Sequence, residues 1–366
     1  MVIFVSSELY LKRIKMVEVV REALREIDAP RTKYLGEVIK HYENNFNPDD
    51  IIANMGKRTP FFILLPVEDI RSYPPSEKIE PTIKWMSQYL MHKSYVVGGL
   101  DSSWIDYMPH INLPIIILCS GIWLHSYGDG EVIRRYLLDY LRLDERIRTA
   151  VKKLERRLIE EACPEINGDI GIIMLDESIS MRYAYVYSAD HRREIARGVV
   201  ELLDSIGERG YIPVGVYYTT ASDIFNTLSI VVEDLERIPP VRDSTIMNST
   251  LNIGDRSPLF RVKSDLLDEY SLDIVAFYLK IAEKNILRVE FPLKFKDHTE
   301  DIRMCVLAQS IIGGGYPLAL QRAHEIAVFR REDREYLLEI IARLTRKISP
   351  QALLSKKLLR KRVPVV

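Results

Sequence analysis

The sequence has few of the residues that mark secreted or disordered proteins. Only three cysteines occur among 366 residues, at Cys119, Cys163 and Cys305, and they form neither a CxxC pair nor a zinc-like spacing with histidine. This argues against a disulfide framework and a structural zinc site, and it fits a reducing cytosol. The 17 glycines and 18 prolines are too few for extended disorder. We therefore expect a folded intracellular protein.

Long apolar runs and an excess of charge are also absent. No stretch approaches the roughly 20 apolar residues that a membrane helix needs. The short apolar run at residues 2–5 lacks the basic region and the cleavage site of a signal peptide. The net charge is −1, so any contact with nucleic acid must come from local clusters of Lys and Arg. We predict a soluble, cytoplasmic protein without a membrane partner.

Apolar periodicity predicts alternating strands and helices from residue 95 onward. The predicted strands cover 95–100, 115–119 with a shorter one at 122–125, 170–175 and 212–218, and the predicted helices cover 144–162 and 191–208. This alternation is typical of an α/β sheet with crossover connections. Residues 274–281 and 286–291 predict a hairpin added to that sheet, and a further helix begins near Pro317. The predicted fold class is therefore α/β.

The chain divides into three predicted parts. Residues 1–92 form an N-terminal extension that is mostly helical, because apolar residues recur at helical spacing over residues 8–45. A short buried strand and a loop follow in the Pro-punctuated stretch 60–81. Residues 93–345 form the core, and residues 346–366 form a basic tail.

Two aspartates follow directly after apolar strands. Asp101 and Asp176 each occupy this position, and each is followed within two residues by serine. Ligands collect at the carboxyl ends of strands in α/β sheets, so the two side chains are expected to meet. Two close carboxylates repel each other unless a cation such as Mg²⁺ or Mn²⁺ neutralises them, and such cations support phosphodiester cleavage. The alternative for each aspartate alone is a turn or helix-capping role.

A third acid is predicted on the helix 144–162. At 100° per residue, Glu161 lies beside the apolar stripe that contains Leu154 and Leu158. Glu155 borders the other flank and remains the alternative, and a solvated helix-edge charge would explain either residue equally well. His324, on the helix after Pro317, is a candidate metal ligand or proton carrier only if it meets the acids.

Six segments in order carry a resemblance to a known family. They are LDSS at 100–103, LDES at 175–178, VGVYYTTASDI at 214–224, GDRSPLF at 254–260, YLKIAEKNILRVEFP at 278–292 and GGGYPLALQRAHEIA at 313–327. Their order and spacing resemble the archaeal NurA nuclease family over about residues 95–345. The resemblance implies an RNase H-like mixed sheet flanked by helices, with a C-terminal helical segment.

The resemblance also implies an activity and partners. It implies a Mn²⁺- or Mg²⁺-dependent deoxyribonuclease with single-strand endonuclease and 5′-to-3′ exonuclease activity. The family forms a homodimer with a central channel and works with a HerA-type hexameric translocase in DNA end resection and double-strand break repair. Asp101, Asp176 and His324 match the family's metal-binding and catalytic positions, and Glu161 corresponds more loosely to its helix acid.

Further residues are candidate DNA contacts, either by the same resemblance or because they are basic and lie beside the site. Tyr218, with Tyr217 as the alternative, lies in a strand near the DNA, and Arg256 either holds a phosphate or braces a loop. Arg322 and Arg330 flank His324. One departure concerns Glu177, which stands where the family usually has glycine and could alter or damage the site. The alternative function is therefore a NurA-like DNA clamp or translocase adaptor that has lost turnover.

Overall fold

The structure is a computed structural model that describes residues 34–55, 62–69, 82–105, 115–142, 146–166 and 170–345. The described strands are β1 (Ile63–Pro66), β2 (Val96–Ile105), β3 (Ile115–Ser126), β4 (Val132–Arg142), β5 (Gly171–Leu175), β6 (Tyr211–Tyr218), β7 (Phe260–Lys263), β8 (Ile274–Ala282) and β9 (Asn285–Pro292). The described helices are α1 (34–45), α2 (Pro48–Asn54), α3 (Ile83–His92), α4 (Ile147–Ala162), α5 (Ala189–Glu208), α6 (Asp223–Val231), α7 (Asp243–Thr250), α8 (Asp265–Glu269), α9 (Thr299–Ile312), α10 (Leu318–Ala327) and α11 (Arg331–Thr345).

The strands form one mixed sheet of nine strands. Their order is β1-β7-β8-β9-β6-β5-β2-β3-β4. Strand β2 pairs antiparallel with β3 and parallel with β5, and β5 pairs parallel with β6. Strands β7, β8 and β9 extend the sheet by antiparallel pairing. This mixed α/β sheet confirms the predicted fold class.

Helices cover both faces of the central strands. In β5, Ile173 and Leu175 pack into one core cluster with residues of α4 and α5, whereas Ile172 and Met174 pack into a second cluster with residues of α9 and α10. All five residues of β5 are buried. Because both faces of β5 are covered, neither face needs polar side chains, which explains the continuous apolar run of this strand.

Most predicted core elements are present with small shifts at their ends. The predicted helices at 144–162 and 191–208 are α4 and α5, and the predicted hairpin is β8 with β9. The prediction of separate strands at 115–119 and 122–125 was wrong, because β3 runs unbroken from Ile115 to Ser126. No strand was predicted at β4, whose exposed face carries two arginines among apolar and aromatic residues.

The N-terminal segment contributes to the same sheet. Val38, Tyr42 and Phe46, in or just after α1, are buried in the larger core cluster, and β1 pairs antiparallel with β7. The predicted helix before residue 34 and the tail 346–366 lie outside the described residues, so the division into extension, core and tail stays a prediction. Within the described ranges, none of the helices combines the length and the apolarity needed to cross a membrane.

Helix α10 rests directly on the backbone of the sheet. A Cβ atom at Gly99 of β2 would overlap the carbonyl oxygen of Ala319, and one at Gly121 of β3 would lie 2.9 Å from the backbone nitrogen of Ala327. Two glycines on neighbouring strands therefore allow the close approach of this helix. The position of His324, which α10 carries, depends on that approach.

The substitution Gly99→Ala should destabilise the protein, because the clash is with backbone atoms that cannot rotate away. We expect a loss of about 1–3 kcal/mol, typical of overpacking, measured by urea denaturation. Gly36→Ala is the control, since a Cβ atom at this position of α1 would have no neighbour within 4 Å. Equal stability of the two variants would contradict this account of α10.

Candidate active site

Asp101 and Asp176 lie side by side on two neighbouring parallel backbones. Leu100 of β2 pairs with Leu175 of β5, so the next residue along each backbone is an aspartate, with the two backbones about 4.8 Å apart. Asp176 follows the end of β5 as predicted, but the prediction that Asp101 follows a strand was wrong, because β2 continues to Ile105 and Asp101 lies inside it. The Asp176 side chain is solvent-exposed on one side. Desolvation by its neighbours nevertheless raises the pKa of its carboxyl group, and the charge of Asp101 raises it further.

His324 reaches this pair from α10. Its Nδ1 atom lies 2.8 Å from Oδ2 of Asp101. The other oxygen of Asp101 accepts a hydrogen bond of 2.8 Å from the backbone N–H of Ser102. The structure therefore brings together Asp101, Asp176 and His324, three of the residues that we predicted for the site.

Tyr316 is a site residue that the sequence analysis missed. Its hydroxyl donates to Oδ1 of Asp176 at 2.5 Å and lies 3.2 Å from the carbonyl oxygen of Val216. Tyr316 also stacks on Tyr218, with ring centroids 5.5 Å apart, and the Tyr218 hydroxyl donates to the carbonyl of Gly315. The available signal was the run of three glycines before Tyr316. Gly314 and Gly315 both have positive φ, which turns the chain back toward the sheet.

A buried ion pair lies below Asp101 on the other face of the sheet. Ser102 donates its hydroxyl to Glu155 of α4 at 2.7 Å, and Lys152 donates to the same carboxylate at 2.6 Å. Lys152 also pairs with Glu177, the residue that departs from the family pattern. Burial raises the pKa of Glu155, while burial lowers the pKa of Lys152 and the two acids raise it above its ordinary value.

The contacts favour Glu155 over Glu161 as the acid of α4 at this site. Glu161 is exposed, with 56% of its side-chain surface accessible, and it pairs only loosely with Arg157 at 3.9 Å. It lies six residues beyond Glu155, or about 9 Å along the helix axis. The angular position of a residue around a helix does not show which turn of that helix lies beside Asp101. The sequence analysis, which placed Glu161 first with Glu155 as the alternative, could therefore not decide between the two acids.

The residues predicted to contact DNA differ in how exposed they are to solvent. Tyr218 is exposed beside Tyr316, whereas the Tyr217 hydroxyl donates to Glu290 inside the protein. Arg256 is only 3% exposed, and its guanidinium is held by Glu68 and Glu300. These contacts favour the second of the two roles predicted for Arg256, which is to brace a loop, over the first, which is to hold a phosphate.

Arg322, in the middle of α10, and Arg330, just before α11, are both exposed. Arg322 forms a surface ion pair with Glu325 at 2.7 Å. Such exposed pairs contribute little stability and exchange readily for other anions. Both residues therefore stay predicted DNA contacts.

A second buried network holds the loop that follows Asp176. Glu290 of β9 accepts hydrogen bonds from the backbone N–H of Ser180 at 2.9 Å and from the Ser178 hydroxyl at 3.1 Å. Arg288 pairs with Glu290 at 2.8 Å and with Asp223 at 2.7 Å, and all three side chains are fully or almost fully buried. The loop is therefore anchored to the sheet by a compensated set of buried charges.

The donor set fits a hard divalent cation. Two carboxylates of like charge lie next to each other with an imidazole beside them, and oxygen with imidazole is the ligand chemistry of Mn²⁺ and Mg²⁺. In the part of the chain that the structure describes, no group of three His, Cys, Asp or Glu side chains is already arranged as a metal site. One oxygen of Asp101 instead faces His324, and one of Asp176 faces Tyr316.

Similar folds are found among solved structures. The chain is similar to the NurA nuclease from Sulfolobus solfataricus, with 11% sequence identity, a TM-score of 0.52, and coverage of 94% of this chain and 98% of that one. A structure of NurA with manganese matches at 12% identity and a TM-score of 0.41, covering 88% and 98%. A structure of NurA bound to dAMP and manganese matches at 10% identity and a TM-score of 0.40, covering 92% and 97%. No curated protein sequence matches the chain.

The fold and the site together define an α/β protein with a mixed nine-stranded sheet, whose interior strands β2 and β5 place two aspartates next to each other. The sequence profile of the NurA domain matches residues 57–329, well over half of the chain. The chain therefore belongs to the NurA nuclease family.

The substitution Arg288→Met should destabilise the protein strongly, because it leaves the buried carboxylate of Glu290 without its cation and leaves Asp223 with Arg182 alone. Breaking such a pair costs about 3–5 kcal/mol, which urea denaturation would measure. The matched control is Arg261→Met, since Arg261 pairs with Asp273 at the surface and exposed pairs contribute about 0–1 kcal/mol. Similar losses in both variants would argue against a special role for the buried network.

Proposed function

We propose that this protein is a divalent-metal-dependent deoxyribonuclease that cleaves phosphodiester bonds beside strand β2, where its neighbour β5 ends. The observation that carries the proposal is the pairing of Leu100 with Leu175, which places Asp101 and Asp176 next to each other. His324 in contact with Asp101 adds an imidazole that can serve as a metal ligand or a proton carrier. Membership of the NurA family supports the same chemistry.

The side chains around the site have distinct roles in this proposal. Asp101 and Asp176 hold the cation, and His324 serves as a further ligand or a proton carrier. Tyr316 orients Asp176 through its hydrogen bond. Asp101 orients the imidazole of His324 through Nδ1 and leaves Nε2 for proton exchange. When bound, Mn²⁺ or Mg²⁺ would supply an activated water and stabilise the charge on the leaving oxygen.

Partners and biological role follow from family membership. We propose a homodimer that acts on single strands and duplex ends, by single-strand endonuclease and 5′-to-3′ exonuclease cleavage. We also propose that it works with a HerA-type translocase in DNA end resection and double-strand break repair in the cytoplasm. Tyr218, Arg322 and Arg330 are the proposed DNA contacts near His324, since all three are exposed there.

A second candidate function is a DNA clamp or translocase adaptor without turnover. The observation that favours it is Lys152, whose buried ammonium pairs with both Glu155 and Glu177. A fixed positive charge at these acids reduces the negative charge that a second divalent cation would need. The two functions differ in one property, which is metal-dependent cleavage.

Cleavage of labelled single-stranded DNA should require Mn²⁺ and stop with EDTA. Asp101→Asn and Asp176→Asn should each lower the rate by more than about 100-fold, because even residues that only support metal ligands contribute 10–100-fold. Asp190→Asn is the control, since that side chain is exposed and pairs only with Arg193. Wild-type DNA binding without any metal-dependent product would favour the clamp, and full activity of the Asp101 variant would refute the site.

The identity of the helix acid can be tested with one pair of variants. Glu155→Gln should lower cleavage by about 10–100-fold, as expected for a group that supports the metal ligands, whereas Glu161→Gln should leave the rate within about twofold. Both proteins should be checked for folding by circular dichroism. The opposite ranking would restore Glu161 as the acid at the site.

A further inference from the structure

Strand β4 lies at the edge of the sheet and has one largely uncovered face. Alternate residues of a strand point to the same side, and on β4 this side carries Val132, Arg134, Tyr136, Leu138, Tyr140 and Arg142, which we call the β4 face. Its three central side chains are strongly exposed, with 60% for Tyr136, 56% for Leu138 and 66% for Tyr140. Large apolar side chains exposed together are typical of an interaction surface.

The β4 face lies on the same side of the sheet as the candidate active site. Asp101 pairs with Gly121 of β3, and Gly121 pairs with Tyr136 of β4. Directly paired residues in antiparallel strands share a face, so Tyr136 lies in one row with Asp101 at about 10 Å, two strand spacings away. Helix α10 crosses between them over Gly121. His324 is exposed on that helix, so a polymer on the β4 face reaches it by crossing one helix.

The composition of the β4 face matches a single-stranded nucleic acid. Its charged residues, Arg134 and Arg142, are both basic, and the Arg134 side chain has no carboxylate partner among the described residues. The acid of this strand, Asp139, points to the opposite face, where it pairs with Arg157. Tyr136 and Tyr140 are four residues apart, about 13 Å along the strand. Arginine alternating with aromatic rings provides phosphate contacts and stacking platforms for unpaired bases.

We propose that the β4 face binds single-stranded DNA and guides it toward Asp101. This inference rests on the proposed nuclease function and adds to it a substrate track outside the metal-binding residues. Bases stack on Tyr136 and Tyr140, and Arg134 contacts the backbone phosphates. Stacking depends little on base identity, so the track accepts strands of any sequence.

The test measures binding without cleavage. Fluorescein-labelled oligo(dT) of about 20 nucleotides, long enough to span the track, is titrated with the full chain in EDTA and followed by fluorescence anisotropy. Each of Tyr136→Ala and Tyr140→Ala should weaken binding by about five- to hundredfold. Tyr136→Phe should keep wild-type affinity because it keeps the aromatic ring. Tyr136→Leu removes the ring and should therefore bind more weakly than wild type.

A matched pair of arginine variants separates the two faces of β4. Arg134 and Arg135 are adjacent and both exposed, but their side chains point to opposite sides of the strand. Arg134→Ala should reduce the slope of log affinity against log salt by about 0.7 to 1, the contribution of one phosphate contact. Arg135→Ala should leave the slope unchanged.

Other results would overturn the proposal. Affinity of the Tyr136→Ala, Tyr140→Ala double variant within about twofold of wild type would exclude stacking. A halved mass of that variant by light scattering, with unchanged affinity per chain, would show that a second copy of the protein covers the β4 face. Failure of the nuclease function is distinguishable, since it would appear as absent Mn²⁺-dependent cleavage while binding in EDTA still depends on Tyr136.

Discussion

The repulsion between two neighbouring carboxylates is the constraint around which this site is built. Parallel pairing of β2 with β5 places Asp101, inside β2, next to Asp176, which follows the end of β5. His324 and the backbone N–H of Ser102 hold the two oxygens of Asp101, and Tyr316 holds one oxygen of Asp176. These hydrogen bonds orient the pair but do not remove its charge, and a divalent cation is the group that would neutralise it.

The positions of α10 and of the loop after Asp176 depend on a glycine and on buried charges. Gly99 lets α10 approach the sheet closely enough for His324 to reach Asp101. The loop after Asp176 is tied to Glu290, whose charge Arg288 compensates inside the protein. A network of buried charges is stable only when all its members are paired. The motif that contains Arg288 and Glu290 therefore supports the site without facing it.

The sequence predicted the parts of the site that come directly after buried apolar runs. Asp101 and Asp176 follow apolar runs whose burial sets their position, so local pattern was sufficient to find them. Tyr316 was missed because its approach depends on backbone turns at Gly314 and Gly315, which no periodicity encodes. Strand β4 was missed because charged residues interrupt its apolar ones, so it lacks the continuous apolar run by which buried strands were recognised.

The central claim is that Asp101 and Asp176 share one cation, and calorimetric titration of the protein with Mn²⁺ tests it most directly. Wild-type protein should bind Mn²⁺, and Asp101→Asn or Asp176→Asn should each weaken that binding by more than about tenfold, because each removes a ligand of the same ion. Removing both should cost little more than removing one, since one ligand alone no longer holds the ion. Wild-type Mn²⁺ affinity in both single variants would contradict the account.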